Sequence, residues 1–178
     1  MISACVVQYM PKIHRIMFDT DTCKGLIKDN YYDLSNKWFG RETKEGLELS
    51  IIETAYLLIS ERAKIVICDE EISGLEEFME KAYNCLQEFF WPSLLVYKDL
   101  RDRGRRIRVI QDGEFVIKDK HGALRMIKVL EEGHRITLEE IVSSIEKAVD
   151  NALSLVIAVV SLQGDITYYE VGRVDPKK

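Results

Sequence analysis

Residues 155–160 read Leu155-Val156-Ile157-Ala158-Val159-Val160, an unbroken apolar run. Six residues are too few for a buried helix and ordinary for a strand. A strand that is apolar on both faces needs cover on both faces, so this one belongs at the centre of a sheet. Gln163-Gly164-Asp165 then turns the chain, and Ile166 to Val174 alternates as a last strand, predicted at the sheet edge. Upstream, Thr137 and Glu140 have the spacing of a capping box. Ile141, Val142, Ile145, Ala148, Val149 and Ala152 follow at helical spacing and are predicted as that helix's buried face. Further back the period is two. Ile107 and Val109 alternate with Arg106 and Arg108, and Phe115 and Ile117 with Glu114 and Lys118. Asp112-Gly113 is a hairpin signal between them, and Ala123 to Leu130 is a third strand.

The first half carries separate signals. Leu49, Ile52, Tyr56 and Ile59 mark a helix ending near Arg62, followed by a strand at Ile65 to Cys68. Ser73 and Glu76 predict a second capping box. Behind it lies one helical face from Leu75 through Phe78, Met79, Ala82 and Leu86 to Phe89. Trp91-Pro92 breaks that helix and starts another, which stops at Gly104. Cys5 to Tyr9 and Ile13 to Phe18 read as strands, Asp19 to Thr22 as a turn, and Cys23 to Asn30 as a short helix. The fold class is α/β (α+β). A small N-terminal mixed α/β domain spans residues 1–89, and a C-terminal domain with a mixed central sheet spans 90–178.

Composition narrows the function. The 178 residues are 47% hydrophobic and 31% charged, which excludes a disordered or low-complexity chain. The longest apolar run is far short of the roughly 20 residues a bilayer span needs. The N-terminus lacks the pattern of a secretory signal. Cys5, Cys23, Cys68 and Cys85 show no paired spacing. They read as thiols in a reducing cytoplasm rather than as disulfides. With only His14, His121 and His134 beside them, a zinc site has no support. Net charge is −5, so any nucleic-acid contact must come from a local patch.

That patch is a candidate. Lys98, Arg101, Arg103, Arg105, Arg106 and Arg108 stand against only Asp99 and Asp102 within eleven residues. Such a run suits RNA phosphates or an acidic partner loop, or simply a solvated helix end. The acid-x-Lys element of metal nucleases occurs at Glu42-Thr43-Lys44 and Asp175-Pro176-Lys177, in a loop and a tail, where chance explains it. A metal-independent ribonuclease needs a base, an acid and a cation. Only His121, beside Lys118 and Lys120, resembles this, and a loop histidine explains it equally.

Val96-Tyr97-Lys98-Asp99-Leu100-Arg101-Asp102-Arg103-Gly104 resembles the start of the C-terminal domain in archaeal tRNA-splicing endonucleases. Leu49 to Leu58 resembles that family's N-domain helix, and Leu155 to Val160 with Gly164 to Tyr169 resembles its final strand, turn and strand. The resemblance implies a restriction-nuclease-like C-terminal domain. It implies cleavage of precursor tRNA at a bulge–helix–bulge by 2′-hydroxyl attack, leaving a cyclic phosphate, without metal or other cofactor. It also implies a catalytic Tyr, His and Lys. Here Lys118 stands at the Tyr position and Leu153 at the Lys position, while His121 falls beside the His position. An arginine of the family that clamps the bulge maps to Glu146.

The resemblance therefore implies a non-catalytic, structural subunit of a heterotetramer in the cytoplasm, with no membrane association and catalysis in a paralogous chain. The alternative is a self-sufficient metal-independent endonuclease with a degenerate site around His121. The last strand and its turn, with Asp165, Ile166, Tyr168, Tyr169 and Val171, are the expected subunit interface. Because the turn holds one acid only, the partner is expected to supply an acidic loop and this chain the basic surface.

Overall fold

The computed structural model describes residues 12–172. The expected strand at Cys5 to Tyr9 lies outside them. In the first half, β1 (His14–Asp19) and β2 (Lys24–Ile27) form a hairpin, followed by α1 (Tyr32–Ser35), β3 (Arg41–Glu42) and β4 (Leu47–Leu49). Then come α2 (Ile51–Ile59), β5 (Ala63–Ile67), β6 (Glu70–Ile72) and α3 (Leu75–Lys81). The six strands form one sheet in the order β3-β4-β2-β1-β5-β6, with β1 and β5 parallel.

The expected helix at 23–30 is instead strand β2. Asp19 closes the preceding turn by accepting from the Asp21 amide and the Thr22 hydroxyl, and Cys23 takes a left-handed φ of 57°. The chain thus returns antiparallel, with Gly25 and Ile27 facing inward. At α3, Ser73 pairs with Glu77 rather than Glu76, and Gly74 occupies the cap position. The helix stops at Lys81, so Leu86 and Phe89 do not extend its face. The capping box the first half does contain is Ser50 with Glu53, at the start of α2.

The second half is α4 (Phe90–Asp102), β7 (Arg106–Gln111), β8 (Glu114–Lys118), β9 (Leu124–Glu131), α5 (Leu138–Asp150), β10 (Ser154–Val160) and β11 (Ile166–Val171). Its sheet runs β11-β10-β9-β8-β7, with β9 and β10 parallel. The run at 155–160 has a strand on each side, as its sequence requires. Val156, Ala158 and Val160 join the core on the α4 side, and Leu155 packs with Ala148 of α5 on the other. The Thr137–Glu140 capping box is formed. The expected buried face of α5 is only partly correct. Ser144 and Ala148 are buried, whereas Val142 and Val149 are 43% and 63% exposed. The helix packs mainly on β9 and β10, and valines that lie off that contact stay exposed.

One hydrophobic core joins the two sheets, from Ile16, Leu57 and Ile65 to Tyr97, Phe115 and Ala158. Against expectation, two cysteines are bonded: Cys23 of the first hairpin to Cys85. They are 62 positions apart, so no local spacing could reveal the pair. Cys68 is free and exposed, and Cys5 lies outside the described residues. No helix among the described residues is long and apolar enough to cross a membrane.

Candidate nucleic-acid interface

The cationic run of α4 and β7 is taken apart by the fold. Arg101 is buried. Its guanidinium donates to the Lys37, Trp38 and Ile107 carbonyls and to the Tyr97 hydroxyl, and lies 3.8 Å over the Phe39 ring. It is not a surface contact, because its guanidinium donors are taken up by these four acceptors within the protein. Tyr97 is fully buried, and that burial pushes its phenol well above the usual range, so it stays protonated. Arg108 donates to the Gly40 carbonyl. Gly40 sits at φ 57°, where a Cβ would collide with the Glu48 carbonyl oxygen, so the loop can pass only as glycine. Lys98 pairs with Asp102 and Arg103 with Asp99, one helical turn apart. Of the six cations, only Arg105 and Arg106 make neither a side-chain hydrogen bond nor an ion pair among the described residues.

Arg105 meets a different set of groups. A cleft of about 310 Å³ lies between the C-terminal end of α4 and the α4 side of the sheet. Leu100, Ile117, Ile127 and Val156 form its floor. Arg103, Arg105 and Tyr168 line one part of its wall, and Asp119, Lys120, His121 and Arg125 another. The β8–β9 turn is held by Asp119, whose Oδ1 accepts from the His121 amide at 2.8 Å and the Ala123 amide at 2.9 Å. Partial burial works against the Asp119 carboxylate. These two amides and Arg125 outweigh it and hold the group below the ordinary range.

Tyr168 donates to Asp99 Oδ2 at 2.7 Å. Burial first, and the Asp99 contact second, push its phenol far up, so it remains a donor at any physiological pH. Arg125 pairs with Glu170 at 3.1 Å and approaches Asp119 at 3.5 Å. Arg105, Lys120 and His121 have no side-chain partner among the described residues.

The three positions singled out by the resemblance share one end of this sheet but not one face. His121 lines the cleft on the α4 side. Leu153 packs with Met126, Ala148 and Leu155 on the α5 side. Lys118 follows the inward-facing Ile117 on β8 and runs along the turn toward Gly122. Glu146 is exposed on α5. Glu42 ends β3 and accepts from Ser35, while Asp175 and Lys177 lie outside the described residues.

The expected interface strand β11 lies at a sheet edge among the described residues, paired on one side with β10. Its residues divide by face. Ile166 and Tyr168 pack against the core and Val171 against the α5-side cluster, whereas Tyr169 and Asp165 are exposed. The turn at 161–165 is less poor in acid than its sequence suggests. Glu132, from the end of β9, accepts the Leu162 amide at 3.2 Å and adds a carboxylate beside Asp165. Sequence reading also missed Arg125 and the Tyr168–Asp99 contact as parts of one cleft. The only local signal was the Asp119 turn chemistry before Gly122.

A model of the tRNA intron endonuclease N-terminal domain matches residues 19–79, and one of the catalytic C-terminal domain matches residues 90–168. A tRNA-splicing endonuclease of Pyrococcus horikoshii is 32% identical over 141 residues, covering 77% of this chain and 82% of the relative. The chain belongs to the tRNA intron endonuclease family. Within it, the Thermococcus kodakarensis tRNA-splicing endonuclease is 31% identical over 143 residues, covering 77% of this chain and 83% of that protein. The Methanosarcina mazei tRNA-splicing endonuclease is 32% identical over 148 residues, 79% of this chain but 40% of the relative. The chain thus spans about two fifths of that longer family member. The family's two parts coincide with the mixed sheets described above, and the expected fold class is borne out.

Proposed function

We propose that this chain is a structural, assembly-supporting subunit of an archaeal, cytoplasmic tRNA-intron endonuclease. In this reading it cleaves no RNA itself. A paralogous chain supplies the Tyr, His and Lys that cut precursor tRNA at bulge–helix–bulge sites, and two copies of each chain form a heterotetramer. The boundary between the two domains is set near residue 89.

The observation that carries the reading is Leu153. At the position where the resemblance expects a catalytic lysine stands an apolar side chain packed against Met126 and Leu155. It offers neither charge nor proton to a phosphate in the transition state. Lys118 in place of a phenol removes a second group. The edge of β11 supports the assembly half of the reading, because its outward N–H and C=O groups invite another strand. His121 in a basic cleft is what a self-sufficient enzyme would build on, but the cleft's phenol, Tyr168, is committed to Asp99.

The test is assembly. This chain should be mixed with a family member bearing all three catalytic residues, and the mass of the product measured by light scattering. A two-plus-two complex is expected. Two non-interacting species, or a homo-oligomer that excludes the second chain, would overturn the proposal.

A further inference from the structure

The cleft between α4 and the sheet belongs to none of the expected site groups as a whole. It draws Arg105 from the cationic run, His121 and Lys120 from the β8–β9 turn, and Tyr168 from the edge strand. We infer that it binds one nucleotide of single-stranded RNA, with the phosphate on Arg105, Lys120 and His121 and the nucleoside over the apolar floor. This deepens the reading above and rests on it, since the RNA is held for cleavage performed elsewhere.

Three observations support the assignment. First, the acids in and around the cleft are already used. Asp119 accepts two turn amides and faces Arg125, Asp99 holds Tyr168 and Arg103, and Glu170 holds Arg125. An incoming anion therefore meets three donors that have no side-chain partner among the described residues. Second, those donors stand above Leu100, Ile117, Ile127 and Val156 beside the Tyr168 ring. A protein carboxylate would satisfy the cations and leave that floor bare. A nucleotide satisfies both, with charge at one end and a flat apolar ring at the other. Third, about 310 Å³ lies at the small end of the roughly 300–1,000 Å³ of ligand sites, and suits one nucleotide rather than a duplex. The cleft holds this nucleotide without cutting it. Deprotonating a 2′-hydroxyl and protonating a leaving oxygen takes two groups, and with Tyr168 held by Asp99 the cleft offers no free phenol beside His121 among the described residues.

The probe is a fluorescein-labelled 2′-O-methyl RNA hexamer, which cannot be cleaved by 2′-hydroxyl attack, read by anisotropy on the full chain. Arg105→Ala and Lys120→Ala should each weaken binding about 5–10-fold. Each should also lower the slope of log affinity against log salt by about 0.7, the value of one phosphate contact on a single strand. Lys64→Ala, on the far sheet, should leave both unchanged, and unchanged melting should show that the variants fold. Wild-type affinity in both cleft variants overturns the inference. So does tighter binding of an Asp/Glu-rich hexapeptide than of the RNA, which would assign the cleft to a protein loop. Either result leaves the non-catalytic reading standing. Cleavage of ordinary RNA by the chain alone would sink that reading without touching the binding result.

Discussion

The guanidinium of Arg101 lies 3.8 Å over the ring of Phe39, and this stack ties α4 to the loop before β3. The same group donates to the Lys37 and Trp38 carbonyls, so a buried cation of the second half is held by backbone of the first. Arg101→Ala should leave three carbonyls short of a donor and a void over Phe39. A loss of about 3 kcal/mol is expected, since each unsatisfied buried group costs about 1–3 kcal/mol. Arg101→Lys should recover little, because an ammonium cannot reproduce the planar fork. Urea denaturation followed by circular dichroism measures both. A cost under about 1 kcal/mol for the alanine variant would show that the stack is incidental.

The Cys23–Cys85 bond closes a loop with a sequence separation of 62. Chain-entropy arguments give it up to about 4 kcal/mol, with measured cases nearer 2–4 kcal/mol. Dithiothreitol, or Cys23→Ser, should lower the denaturation midpoint accordingly. Cys68→Ser should not. Equal midpoints with and without reductant would mean that the loop's ends are held together by packing alone.

Acid should loosen the helix and turn caps. Glu140 accepts from the Thr137 amide and then its hydroxyl, Glu77 from the Ser73 amide and then its hydroxyl, and Asp19 from the Thr22 hydroxyl and then the Asp21 amide. All three carboxyls are held below their ordinary values. A depressed carboxyl adds stability that is complete above its unfolded value, about 4. That stability is lost as pH falls through the lower folded value. Stability should therefore be flat near neutrality and fall below about pH 4. Glu140→Gln should flatten part of that fall, and Thr137→Ala should cost about 1 kcal/mol at pH 7. An acid limb unchanged in Glu140→Gln would assign the effect to other groups.

The edge of β11 that is open among the described residues can be blocked without touching its own hairpin. Ser161 donates to the Asp165 carbonyl, which marks a hydrogen-bonded pair. Alternation then turns the Thr167, Tyr169 and Val171 amides toward β10, and those of Tyr168 and Glu170 outward. Glu170→Pro should abolish subunit association while the isolated chain still folds. Glu170→Ala, which removes only the Arg125 ion pair, should leave association intact. Full assembly of the proline variant would move the interface elsewhere.

The sequence was most legible where burial alone decides structure. The apolar run at 155–160 is the central strand, the alternation at 106–118 is the hairpin β7–β8, and Thr137 with Glu140 starts α5. It failed where distant partners decide. Cys23 reads as part of a helix until Asp19 and Cys85 fix its turn. Arg101 reads as a surface cation because two of its acceptors, the Lys37 and Trp38 carbonyls, lie more than 60 positions upstream. The candidate site suffered the same way. Arg105 was visible only as one member of a linear run, and its companions come from two other segments, Lys120 and His121 from the β8–β9 turn and Tyr168 from β11.

His121 should be dispensable for cutting. His121→Ala in the reconstituted complex should stay well within the 100-fold loss expected on removing a general acid or base. A larger loss with assembly intact, measured under single turnover, would return catalysis to this chain.

The central claim is that this chain does not cleave RNA by itself. Its most direct test is a single-turnover assay of the purified full chain, in excess over a radiolabelled bulge–helix–bulge precursor tRNA, with and without the catalytic paralogue. The account predicts intact RNA with this chain alone. With both chains it predicts two cuts bearing 2′,3′-cyclic phosphate ends. Cyclic-phosphate products from this chain alone, lost in His121→Ala, would contradict it.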